Sequence, residues 1–206
     1  MKQTKQGRGF TLLELLIVIA IIAILSVILV LVLNPAETLK KSRDAQRISD
    51  LSTVKTALGL YLTATTTPYL SGAATNGRCV DGATKALFIS TTGVVGTYAT
   101  GTLLISSSST TGVDSTGWIP VNLSSLTGGS PISNMPLDPV NTTAATTGVS
   151  DSDLVYRYAC KSSPLGFEID AQLESLAYTV EDNKRSKDGG NNALIYEVGT
   201  DLTTFQ

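Results

Sequence analysis

The stretch "GRGFTLLELLIVIAIIAILSVILVLVLN", residues 7–34, decides the architecture of this chain of 206 residues. Between positions 10 and 33 it is hydrocarbon interrupted only by Thr11, Glu14 and Ser26, and Glu14 is its one charge. A helix of that length extends about 36 Å at 1.5 Å per residue, enough to cross a hydrocarbon core of about 30 Å. A secretory signal has an apolar region of about 7 to 15 residues followed by a small-x-small cleavage site, and neither feature is present. The run therefore reads as a membrane-crossing helix. Lys2, Lys5 and Arg8 precede it, but Lys40, Lys41, Arg43 and Arg47 follow it, so positive charge alone does not orient the span.

Outward from this segment the chain changes character. Residues 63–206 are long enough to enclose a core of their own and are rich in Ser and Thr; between Lys85 and Asp138 only Asp114 is charged. That composition favours an exported head. Beyond position 10 the chain carries 12 basic and 17 acidic residues, a net charge of −5 that makes nucleic acid an unexpected partner. There is no histidine, and no nucleophile motif or phosphate-binding loop occurs, so no enzymatic activity is expected. Cys79 and Cys160 allow one intramolecular disulfide in an oxidising compartment; the alternative is two unrelated buried thiols.

Glu14 calls for an explanation, because a carboxylate inside a bilayer costs about 2.5 to 3.5 kcal/mol near the centre. It can snorkel toward the head groups from its place near one end of the span. It can also close a capping box, since Thr11-Leu12-Leu13-Glu14 fits S/T-x-x-E.

The segment "GFTLLELLIVIAIIAIL" behind a short basic leader ending in Gly9 resembles the processing segment of type IV pilins and of the pseudopilins of type II secretion systems. The resemblance implies cleavage between Gly9 and Phe10 by a membrane peptidase, N-methylation of Phe10 and assembly through Glu14. It also implies a homo-oligomeric helical filament, built by the prepilin peptidase/N-methyltransferase and an inner-membrane assembly machinery. The new α-amino group is largely an ammonium at neutral pH, and pairing it with the Glu14 carboxylate of a neighbour fixes the stagger between otherwise featureless helices. Structural subunit of a type IV pilus-like filament is the expected function; a type II secretion pseudopilin and a minor pilin serving as a surface adhesion module are the alternatives.

After the span, Asn34-Pro35-Ala36-Glu37 signals a fresh helix start, with a break near Asn34 or a continuous helix kinked at Pro35. Over residues 34–62 the positions Ile48, Leu51, Val54, Leu58, Tyr61 and Leu62 form an apolar stripe. The charged positions Lys40, Lys41, Arg43, Asp44, Arg47, Asp50 and Lys55 are assigned to the other face, which is either solvated or turned to neighbouring subunits.

Strands are expected at 86–90, 98–106, 154–160, 167–173 and 193–198. "FEIDAQL" alternates so that Phe167, Ile169, Ala171 and Leu173 face a core while Glu168, Asp170 and Gln172 face away, a half-buried strand paired antiparallel with "VYRYAC". The proline-rich segment 117–141 reads as a meander anchored by Trp118. In "EDNKRSKDGGNN", residues 181–192, Asp182, Asn183, Asp188, Asn191 and Asn192 offer oxygen ligands; major pseudopilins carry calcium in such a loop, but three basic residues share it and a solvated loop is the favoured reading.

The expected fold class is α+β: a long N-terminal helix, transmembrane over 10–33 and amphipathic over 34–62, packed on an antiparallel-sheet head over 63–206, with a leader over 1–9 that is removed. The expected location is a single-pass membrane protein with an exported head before assembly, and a cell-surface or periplasmic filament afterwards.

Overall fold

The computed structural model describes residues 9–72, 75–98 and 103–204, so most of the basic leader and positions 99–102 of the strand expected over 98–106 lie outside the described residues. The chain divides into two compact units between Leu39 and Lys40.

The first unit is dominated by α1, Leu12–Leu33. Thr11, in an extended conformation, caps it by accepting a hydrogen bond from the Glu14 amide at 3.2 Å. Its window Leu12–Val30 has a mean hydropathy of 3.2 and none of it is buried. The Ser26 hydroxyl donates to the Ile22 carbonyl at 2.7 Å, so the one interior hydroxyl satisfies itself along the helix. The helix stops at Asn34, which takes the left-handed conformation with φ 37°. Asn34 then serves the next helix, α2 at Pro35–Ala64, because its side-chain oxygen accepts from the Glu37 amide at 3.4 Å. Proline at the first helical position removes one of the amides that would have lacked a partner.

From Lys40 onward α2 belongs to the second unit. Leu51, Val54, Leu58 and Tyr61 enter the main core with Trp118, Tyr156, Tyr158, Phe167 and Ile169. Asp44 and Arg47 are also fully buried, which corrects the assignment of these two charges to a solvated or subunit-facing surface: they turn inward, onto the head itself.

Among the described residues the head contains seven strands: β1 Ala86–Ile89, β2 Val95–Tyr98, β3 Leu103–Ser107, β4 Thr147–Val149, β5 Tyr156–Ser162, β6 Leu165–Ala171 and β7 Tyr196–Gly199. They form one sheet in the order β4-β2-β3-β1-β5-β6-β7. Most neighbours are antiparallel, and β1 with β3 and β2 with β4 run parallel. The hairpin β5–β6 pairs from Tyr156 against Ala171 to Ser162 against Leu165. The strand expected over 98–106 is replaced by β2, ending at Tyr98, and β3, starting at Leu103, which pair antiparallel with each other.

Alternation sorts the sheet into two faces. Phe88, Tyr156, Tyr158, Phe167 and Ile169 face α2, whereas Leu87, Ile89, Val155 and Ala159 join Val94, Tyr98, Leu103 and Val149 in a second cluster. Both faces are covered, so β6 is not half-buried: Glu168 and Asp170 are as inaccessible as Phe167 and Ile169. Part of the cover comes from a distant segment, since Glu168 Oε2 accepts from the Thr204 amide at 2.8 Å, while the Asp170 carboxylate pairs with Arg157, its cross-strand neighbour on β5. In the meander, buried Trp118 donates its indole N–H to the Pro136 carbonyl at 2.8 Å. A disulfide joins Cys79 to Cys160 on β5, and the Val80 amide donates to the Cys160 carbonyl at 2.8 Å beside it.

Candidate functional site

The N-terminal site is contiguous. Gly9 and Phe10 lie ahead of α1 in non-helical chain, and a Cβ at Gly9 would meet nothing within 4 Å. Phe10 is 80% exposed. Glu14 sits in the first turn of α1, one turn from the Gly9-Phe10 peptide bond, and is exposed like its neighbours. The bond from the Glu14 amide to the Thr11 hydroxyl is one half of a capping box, and the returning half is not formed among the described residues. A helix apolar on every side, with one carboxylate at its open end, has surface suited to lipid or to other helices of the same kind, not to water.

A second constellation, not anticipated from the sequence, holds α2 to the head around Arg47. Its Nε and Nη2 donate to the two Asp138 oxygens at 2.6 and 2.9 Å, while Nη1 reaches Asp44 at 2.8 Å and Glu174 at 2.7 Å. Asp138 is itself fixed by the Val140 and Asn141 amides in the turn that ends the proline-rich meander. Asp44 accepts from the Glu174 and Ser175 amides and from the Ser175 hydroxyl, so it caps the turn that follows β6. Burial disfavours the Arg47 charge, but the bonds and charges of Asp138, Glu174 and Asp44 outweigh it and the pKa rises. The Arg43 fork, joined by Arg47 and opposed by burial, lowers the Glu174 pKa to about 2. Asp50 accepts from the Tyr156 hydroxyl at 2.8 Å, and burial raises its pKa against that bond.

The second face of the sheet holds a buried acidic group. Arg157, Asp170 and Glu197 occupy one row across β5, β6 and β7, and Glu168 lies diagonally beside Glu197. Burial, then a hydrogen bond to Glu197, pushes the Glu168 pKa up to about 10. Burial likewise lifts Asp170 to about 6 against the pull of Arg157. Gly190 stands against the Glu197 carboxyl where a Cβ would overlap it, so only glycine allows this approach.

The oxygen-bearing residues of 181–192 turn to separate partners. Asp182 bridges Lys184 at 2.5 Å and Lys187 at 2.6 Å, and Asn183 Oδ1 accepts from the Arg185 amide. Asp188 accepts from the Gly190 and Glu197 amides, Asn192 Oδ1 accepts from Leu194, and Asn191 is exposed. No group of three or more His, Cys, Asp or Glu placed to hold a metal occurs among the described residues.

Residues 4–30 match the family model described as "Prokaryotic N-terminal methylation motif". No curated protein and no solved structure matches the chain.

Proposed function

We propose that this chain, which carries the prepilin-type N-terminal methylation signal over its first apolar helix, is a structural subunit of a type IV pilus-like filament polymerised through that helix. The matched motif is of structural, pilin type and is not that of an enzyme family. One observation carries the reading: a helix with no buried residue across its apolar window, opened by a single carboxylate one turn beyond Gly9-Phe10.

On this reading a prepilin peptidase cleaves after Gly9 and Phe10 is N-methylated. The leader leaves with its basic residues, and the new ammonium at Phe10 becomes the counter-charge for Glu14 of an adjacent subunit. In dry surroundings such a pair is favourable only when both members are present, so it selects one axial stagger where aliphatic side chains would let helices slide. The lone subunit waits as a single-pass membrane protein with its head exported, and the inner-membrane machinery moves α1 from lipid into the filament core.

N-terminal mass spectrometry of the exported protein tests processing: a chain beginning at N-methyl-Phe10 is expected, and Met1 retained on surface-exposed protein would refute it. Glu14→Leu tests assembly. The variant should still be cleaved and inserted yet yield no filaments by electron microscopy; normal filaments would leave Glu14 with only its place in the first turn of the helix. Surface filaments made mostly of this chain would separate the pilus subunit from a secretion pseudopilin.

A further inference from the structure

The turn after β6 sets two exposed aliphatic side chains beside a cluster of basic ones. Ser175 anchors it, donating its amide and hydroxyl to Asp44 at 2.7 and 2.6 Å, and the Thr179 amide returns to the Ser175 carbonyl at 3.0 Å. The single π-helical turn Ala177–Glu181 then carries Val180 outward at 68% exposed, with Leu176 just before it at 55%. Between them, the Tyr178 ring has the Lys41 ammonium 5.9 Å and the Lys184 ammonium 6.0 Å from its centroid. Lys187, with 64% of its side chain exposed, stands nearby on Asp182. Arg185 donates to the Thr179 and Leu194 carbonyls, which fixes the basic loop to the turn. Four cations, Lys41, Lys184, Arg185 and Lys187, thus share the turn and loop with three carboxylates, Glu181, Asp182 and Asp188, on a head that is acidic as a whole.

Aliphatic tips beside a tyrosine and a surplus of ammonium groups suit the boundary between lipid and water: the aliphatic groups enter the acyl border, the ring lies among head groups and the cations meet phosphates. We infer that this turn is a membrane-surface contact, in which Leu176 and Val180 dip among the head groups of an anionic bilayer while Lys41, Lys184 and Lys187 bind lipid phosphates. The inference rests on reading α1 as a membrane span. Lys41 follows Leu33 by eight residues, and eight residues of chain reach at most about 29 Å in any conformation, so an inserted α1 keeps Lys41 within reach of the head groups. A tethered contact of this kind is effective even when weak. Two aliphatic side chains are, by contrast, far short of the roughly 800 Å² per partner that a stable protein interface needs.

The test uses the full chain reconstituted in vesicles of phosphatidylcholine alone or with about 30% phosphatidylglycerol. Ser186→Cys, exposed and next to Lys187 without being one of the residues assigned to lipid, supplies the one reactive thiol because Cys79 and Cys160 are bonded to each other. A dye there should be quenched by lipids spin-labelled at the head group, at least about threefold more in anionic vesicles than in neutral ones. The excess should disappear with Lys41→Glu/Lys184→Glu/Lys187→Glu, in about 0.5 M salt, and with Leu176→Ser/Val180→Ser. Quenching that is equal in the two vesicle types, or absent from a chain that resists carbonate extraction, would overturn the surface contact while leaving the span intact. Release of the chain by carbonate would overturn both. Quenching that falls as the protein is diluted in the bilayer would overturn the lipid contact by identifying a second copy as the occupant.

Discussion

At the scale of single residues, Glu168 governs how the head responds to pH. Burial first, and the Glu197 carboxyl second, raise its pKa from 4.5 to about 10, so folding takes up a proton there. A carboxyl held above its unfolded value contributes fully below that value and loses its contribution as pH climbs through the folded one. For Glu168 that window runs from 4.5 to about 10, and Asp170, raised to about 6 by burial, acts in the same direction over its lower part. Glu174 acts oppositely: lowered to about 2 chiefly by Arg43, it contributes above 4.5 and loses its effect as pH falls toward 2. Stability should therefore be greatest on the acid side of neutral. Glu168→Gln keeps an acceptor for the Thr204 amide and offers Glu197 a permanent donor. Its unfolding free energy should exceed that of the wild type by a margin that widens from pH 5 to 9, on the order of a few kcal/mol at pH 8. Thermal unfolding across that range measures it, and a wild-type pH profile would count against a protonated Glu168 in the folded head.

At the scale of elements, α2 is joined to the head by oil and by charge. Arg47→Ala should destabilise the head by about 3 to 5 kcal/mol, because Asp44 and Asp138 would remain in a dry site without their cation. Denaturant titration followed by the emission of Trp118, the one tryptophan, reads the loss. Arg47→Lys should recover only part of it, since an ammonium cannot make the two-pronged bond to Asp138. The sequence contained a signal for this anchor: Asp44 and Arg47 fall in phase with Leu51, Val54, Leu58 and Tyr61 at alternating spacings of three and four. Sorting residues by polarity instead of by helical phase puts both charges on the wrong face. Their partners Asp138, Glu174 and Ser175 lie about 90 to 130 residues away, which no local pattern reveals. The alternation of β6 was legible, but its second cover comes from Thr204 and the loop that holds Gly190. Four-residue β2 contains Gly96 at φ 104° and gave little strand signal. The N-terminal motif matched over residues 4–30 was legible because it is written in consecutive residues, and the Asn34-Pro35 break because backbone chemistry alone dictates it.

At the scale of the whole molecule, the disulfide has a consequence apart from stability. Cys79 and Cys160 are 81 positions apart, and the chain between them includes β1 to β4, the proline-rich meander and most of β5. A pull on the two ends of the chain would pass across the sulfur bridge and leave that interval slack. In a single-molecule stretching experiment the oxidised protein should lengthen by about 290 Å less than the reduced one, at about 3.6 Å for each bypassed residue. Equal extensions would show that the bridge carries no load. A head built this way yields only part of its contour under tension, and in the filament proposed above no subunit could unravel completely while the bridge is intact.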